Sequence, residues 1–158
     1  MNVIEKAIEL ILENGGDFEG PKDLELIEKA ELYLKINFPP SYKQFLSKLG
    51  CGDIEGQEFY GIINDDFENS CIPDAVWLTM SERQQGLSED LIIIGASGYG
   101  TYFALDTSKK NDAGENPVIE YMSGCETRYI ADSFGEFLLS EINSVLEIEI
   151  GQTPLKDK

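Results

Sequence analysis

Val3, Ile4, Ala7, Ile8, Ile11 and Leu12 recur at the three- and four-residue spacing of a helix face, and Asn14-Gly15-Gly16 ends the run. A second helical pattern opens near Pro21, where a fixed φ suits a first turn. Its register is marked by Leu24, Ile27, Glu31 and Leu34, and it must stop before Phe38-Pro39-Pro40. The double proline starts a third helix with Tyr42, Phe45, Leu46 and Leu49 on one face and Gly50 as its stop. After the turn Gly50-Cys51-Gly52 the period shortens. Glu58 to Ile63, Leu91 to Ile94, Gly100 to Leu105 and Pro117 to Tyr121 read as strands, with polar stretches at residues 64–69 and 109–116 as connections. Asp74 is placed to cap a helix carrying Val76, Trp77 and Met80 inward and ending near Gly86. Ser133-Phe134-Gly135-Glu136 has the spacing of a capping box, ahead of Phe137, Leu138, Ile142, Val145 and Leu146. Helices first, then strands joined by short connections, then a closing helix predict an α+β fold with a largely antiparallel sheet.

No repeat, linker or low-complexity stretch divides the 158 residues, so the expectation is one domain over residues 1–150 with a frayed tail at 151–158. An apolar fraction of 42% is enough for a single substantial core, which puts the acidity on a folded body. Met1 to Leu12 lacks the basic start and apolar centre of a secretory leader, and no run approaches the length of a membrane span. Cys51, Cys71 and Cys125 are odd in number and widely spaced, which suits a reducing cytoplasm. Each is expected as a small buried or half-buried hydrophobe.

Charge changes the picture most. Thirty acidic residues stand against twelve basic ones, with no histidine, for a formal charge of -18. Such a chain repels phosphate backbones and anionic lipid, so neither nucleic acid nor membrane is an expected partner. Without imidazole, the Ser-His and Cys-His routes to an activated nucleophile are closed. Gly95-Ala96-Ser97-Gly98-Tyr99-Gly100 resembles a nucleophile elbow or a phosphate loop only superficially. Tyr99 occupies the final glycine position, and a β-branched, aromatic strand follows where a helix would be needed. The glycines are expected to supply positive φ in a hairpin or bulge. Asp106 is the best candidate for a special carboxylate, but its position before Thr107-Ser108 fits a turn cap better. Asp65-Asp66-Phe67-Glu68 lacks the spacing of a calcium loop, and neither a metal nor a cofactor is expected.

The distribution of the acids points to a binding surface. Between Lys48 and Arg83 no basic residue occurs, and a second basic-free interval runs from Arg128 to Lys156. The first contains Asp53, Glu55, Glu58, Asp65, Asp66, Glu68, Asp74 and Glu82, interleaved with Phe59, Tyr60, Phe67 and Trp77. Carboxylates steer and orient a basic partner, and aromatic anchors supply affinity. Asp53, Glu55, Glu58, Tyr60, Asp65, Asp66, Phe67 and Glu68 are therefore the candidate partner-binding residues. The competing reading is a solvated acidic face whose aromatics point into the core.

Three blocks, in order along the chain, resemble the SUKH superfamily of bacterial immunity proteins and relatives of a fungal cell-wall assembly regulator. The first is Ile27-Glu28 and Glu31, then Phe38-Pro39-Pro40-Ser41-Tyr42-Lys43-Gln44-Phe45-Leu46 and Gly50-Cys51-Gly52. The second runs from Ile93-Ile94-Gly95 to Leu105-Asp106-Thr107, with Pro117-Val118 as the following strand. The third is Ala131-Asp132-Ser133-Phe134-Gly135-Glu136-Phe137-Leu138. Phe38 stands where the family usually has Leu, and Gly50-Cys51-Gly52 where it often has Asn-Gly-Gly; both departures keep the physics of the position. The motif residues are core, turn and cap positions, so the resemblance implies a fold more than a site. It also implies a non-enzymatic, cytoplasmic protein that binds and neutralises a polymorphic toxin, often a nuclease, encoded nearby. The alternatives are a scaffold or regulatory domain with host partners and, much behind, a carboxylate hydrolase.

Overall fold

The structure, a computed structural model, describes residues 2–151 and the side chains of residues 2–147. Helix α1 (Val3–Glu13) opens on a capping box. Asn2 Oδ1 accepts the Glu5 N–H at 2.9 Å and Glu5 Oε1 accepts the Asn2 N–H at 3.1 Å. A two-residue strand, β1 (Asp17–Phe18), follows. Helix α2 (Leu24–Leu34) starts later than the sequence predicts. The Asp23 carboxylate caps it through the Leu26 N–H at 2.9 Å, and the Lys22 N–H is drawn out of the helix to Leu46 O. Its buried face is Ile27, Ala30 and Leu34, whereas Leu24, expected on that face, is exposed. Helix α3 (Pro40–Lys48) begins at the double proline, with Tyr42, Phe45 and Leu46 buried.

Strands β2 (Gly52–Ile54) and β3 (Gln57–Phe59) pair with β1 in an antiparallel sheet of order β1-β2-β3. The sequence predicts one longer strand, Glu58 to Ile63. It ends early because each succeeding N–H finds a different acceptor: Tyr60 donates to Ile94 O, Gly61 to Pro73 O and Ile62 to Gly50 O. That last contact requires glycine at position 61, because a Cβ there would lie 1.8 Å from the Gly50 carbonyl oxygen.

Helix α4 (Ala75–Arg83) is capped by Asp74, as predicted. Its buried side chains are Ala75, Val76, Leu78 and Thr79; Trp77 and Met80 are half-buried. Strands β4 (Leu91–Ala96), β5 (Tyr102–Asp106), β6 (Val118–Tyr121) and β7 (Arg128–Ala131) form the second antiparallel sheet in chain order. Strand β7 is only four residues long and its burial does not alternate, so it shows no strand period in the sequence. In the β4–β5 hairpin, Gly98 and Gly100 have φ of +86° and +94°, and β4 bulges between Ile93 and Gly95, as the glycine run predicts. Ser97 Oγ accepts the Tyr99 N–H at 3.0 Å, so the serine is a turn residue.

Helix α5 (Phe134–Gly151) closes the chain; Ser133 Oγ caps it through the Glu136 N–H. The predicted fraying lies outside the described residues beyond Gly151, which still belongs to the helix. Helices α1, α3 and α5 cover one sheet face around Tyr42, Phe45, Phe134 and Phe137, with Tyr42 and Phe134 ring centroids 4.9 Å apart. The other face packs Ile93, Ala104 and Ile119 against Ala75 and Leu78 of α4. The fold is α+β, as expected from the order of elements.

Candidate functional site: an acidic sheet face

The register of the first sheet places Asp17 opposite Asp53 and Asp53 opposite Glu58. Directly opposed residues of an antiparallel pair share a face with Cβ atoms roughly 5 Å apart, so three carboxylates form a row across three strands. The alternate positions Phe18, Ile54 and Phe59 enter the core from the opposite face. Glu55 stands at the tip of the β2–β3 hairpin. Glu55 and Gly56 have φ of +50° and +84°, the two-residue turn that ordinarily selects Asn-Gly. No ion pair among the described residues involves Asp17, Asp53, Glu55 or Glu58. Like charges directly opposed across strands are destabilising, and a row of them without cations violates a local rule of sheet design.

The eight candidate residues therefore separate. Asp53, Glu55 and Glu58 come together, joined by Asp17, which the sequence reading missed because its strand is too short to show an alternation. Asp65, Asp66, Phe67 and Glu68 lie elsewhere, on the loop facing α2. There Asp65 pairs with Lys29 at 3.2 Å, and Asp66 accepts from Asn69 Nδ2 within its own turn. With Leu32 and Tyr33 this loop lines a shallow groove of about 500 Å³. The two aromatic candidates are corrected. Tyr60 is only 3% exposed and Phe67 only 7%, and Phe67 packs on Tyr33 at 5.1 Å between ring centroids. Neither can present a ring to a partner; both belong to the core, the competing reading for the aromatics. Burial, and after it the Glu58 carboxylate, push the Tyr60 phenol up to about 12.

The remaining candidate chemistry resolves into structure. Asp106 accepts from the Ser108 N–H and hydroxyl, the turn cap expected of it. Cys51 is buried with its thiol 3.6 Å from Ile62 O, and burial pushes it up to about 12, which keeps it protonated and unreactive. Cys71 and Cys125, expected in or near the core, are exposed instead. They lie in the polar connections before α4 and before β7, where nothing packs over them. Asp74 is fully buried. Its Oδ1 accepts the Val76 and Trp77 N–H groups at 2.9 and 3.1 Å, while Oδ2 has no partner. The Ser70 hydroxyl favours its charge from nearby without hydrogen-bond geometry to Oδ2, and burial still raises its pKa. Among the described residues, no group of three or more His, Cys, Asp or Glu is arranged to hold a metal ion. Nor is any helix there long and apolar enough to cross a membrane.

The sequence blocks singled out above converge on one another. Gly135 N–H donates to Ser41 Oγ at 3.1 Å, which joins the starts of α3 and α5, while Tyr42 donates to Tyr60 O at 2.9 Å beneath the sheet junction. An antiparallel sheet backed by α1, α3 and α5, with an acidic row on its other side, defines a small α+β domain. Family comparison agrees: a family model described as "SMI1-KNR4 cell-wall" (SUKH_5) matches residues 1–143. The chain belongs to this SUKH family.

Proposed function

We propose that this SUKH domain is a bacterial immunity protein that binds and neutralises a cognate toxin in the cytoplasm. It acts by covering the toxin and needs no cofactor or catalysis. The observation that carries the reading is the row Asp17–Asp53–Glu58, three carboxylates aligned by strand register with no ion pair among the described residues. Selection for stability alone disfavours that arrangement, and a basic partner would relieve it on docking. Toxins that act on nucleic acid present basic surfaces to their substrate, so an acidic domain seated there blocks access. The loop acids Asp65, Asp66 and Glu68 form a secondary acidic area that contributes to steering.

The test is co-expression with the toxin reading frame adjacent to this chain's gene. The native chain should restore growth, and the triple variant Asp17→Asn/Asp53→Asn/Glu58→Gln should restore it less at equal soluble level. Killing that continues despite abundant soluble native protein would sink the immunity reading and leave a regulatory binding domain with host partners.

A further inference from the structure

The acidic row does not end at β3. Tyr60 N–H bonds to Ile94 O, so β3 runs onto β4 and the two sheets share a face. Buried Tyr60 feels both the Glu58 carboxylate and the Tyr102 phenol. Beyond this junction the register aligns Ala96, Tyr102 and Tyr121 in one row, and Ile93, Ala104, Ile119 and Tyr129 in the next. Helix α4 covers this face at β4 and leaves it open toward β7. Exposure along the second row rises from 0% at Ile93 and Ala104 through 6% at Ile119 to 59% at Tyr129. Trp77, Tyr102 and Tyr121 are half-buried at the edge of the covered part, and Tyr102 donates to Glu82 at 3.3 Å. Two arginines, on α4 and β7, are already engaged. Arg83 donates to Leu34 O and Glu89 O, and Arg128 pairs with Glu120, which projects from the other side of β6.

We infer that this continuous face, Asp53 and Glu58 leading into Trp77, Tyr102, Tyr121 and Tyr129, is the docking surface. Its occupant is an arginine-bearing face of a basic partner protein. The inference rests on the immunity reading for the partner's identity, not for its chemistry. Charge complementarity selects a basic occupant. Half-buried Tyr102 and Tyr121 in line with the carboxylate row, and exposed Tyr129 beyond them, select arginine over lysine, because a guanidinium can stack on an aromatic face and can bond a carboxylate with two parallel N–H groups. Tyr and Trp are also the residue types that dominate binding energy at interface centres.

The experiment uses nona-arginine and nona-lysine peptides with the full-length chain at about 150 mM salt, a condition under which distant surface charges are screened. Backbone NMR shifts should concentrate on Asp53, Glu58, Tyr102, Tyr121 and Tyr129. Nona-arginine should bind more tightly than nona-lysine, and exposed Tyr129→Ala should weaken it by about three- to fivefold. Shifts centred on Asp65 to Glu68, shifts spread over all the acidic surface, or equal binding of the two peptides would overturn the proposal. So would concentration-dependent broadening of the same residues without peptide, since a second copy of the chain would then be the occupant. The two readings fail separately. Peptide binding at this face with no rescue from the toxin defeats the function and keeps the surface. Rescue undiminished in Tyr129→Ala/Glu58→Gln defeats the surface and keeps the function.

Discussion

Replacing Asp74 separates two opposite contributions of one buried side chain. Its Oδ1 accepts two N–H groups of the first turn of α4, at 2.9 and 3.1 Å, while Oδ2 is buried without a partner. Asp74→Ala orphans both donors. Loss of an N-cap costs about 0.5–2 kcal/mol, and this end is buried, which favours the upper half of that range. Relief of the buried carboxylate offsets part of it, so a net loss of about 1–2 kcal/mol is expected, or roughly 2–8 °C in Tm for a chain of this size. Asp74→Asn keeps the Oδ1 acceptor, removes the charge and should be at least as stable as the native chain at pH 7. The pH dependence has a definite sign. Burial raises the pKa of Asp74 in the folded protein, so folding takes up a proton above the ordinary carboxylate range. The native chain carries no penalty below its unfolded pKa of about 3.9 and loses stability as pH rises through the folded pKa. The advantage of Asp74→Asn should therefore be smallest near pH 3.5 and largest at pH 7, measured by urea unfolding at both. An advantage independent of pH would refute the account of a buried, destabilised carboxylate. Asp74→Ala as stable as the native chain would refute the cap.

Three further outcomes follow from backbone and register. Asp17→Asn/Asp53→Asn/Glu58→Gln should raise Tm by about 1–4 °C at low salt, with the gain shrinking as salt screens the native row; a lower Tm would mean that the carboxylates stabilise the sheet. Glu55→Asn should stabilise the hairpin by several tenths of a kcal/mol in thermal unfolding, since Asn tolerates φ of +50° better than Glu. Gly61→Ala should fail to accumulate as folded protein, because its Cβ would fall 1.8 Å from Gly50 O; an ordinary circular dichroism melt would contradict that packing.

What the sequence revealed depended on how local the determining interaction is. The face of α3, the Asp74 cap, the α5 start and the glycine hairpin were all legible, because each is set by residues within a turn or two of one another. The start of α2 was misplaced because Lys22 bonds to Leu46 O across the fold. Strand β7 was missed because its four residues carry no alternation, and pairing with β6 makes it a strand. The candidate site was half legible. Asp53, Glu55 and Glu58 are grouped by a two-residue hairpin that sequence proximity anticipates. Asp17 joins them only through long-range register, and residues 65–68 leave them because the loop turns toward α2. Tyr60 and Phe67 misled for a general reason: an aromatic among acids looks like an anchor until its burial is known.

The central claim is that the row of unpaired carboxylates is the contact with a basic toxin. Its most direct measurement is the association constant with the purified product of the toxin reading frame proposed to lie beside this gene. Titration over a series of NaCl concentrations should compare the native chain with Asp17→Asn/Asp53→Asn/Glu58→Gln. The account predicts tight native binding that weakens steeply with salt, and a variant at least about tenfold weaker with a shallower salt dependence. Equal affinity and equal salt dependence for the two proteins would contradict it.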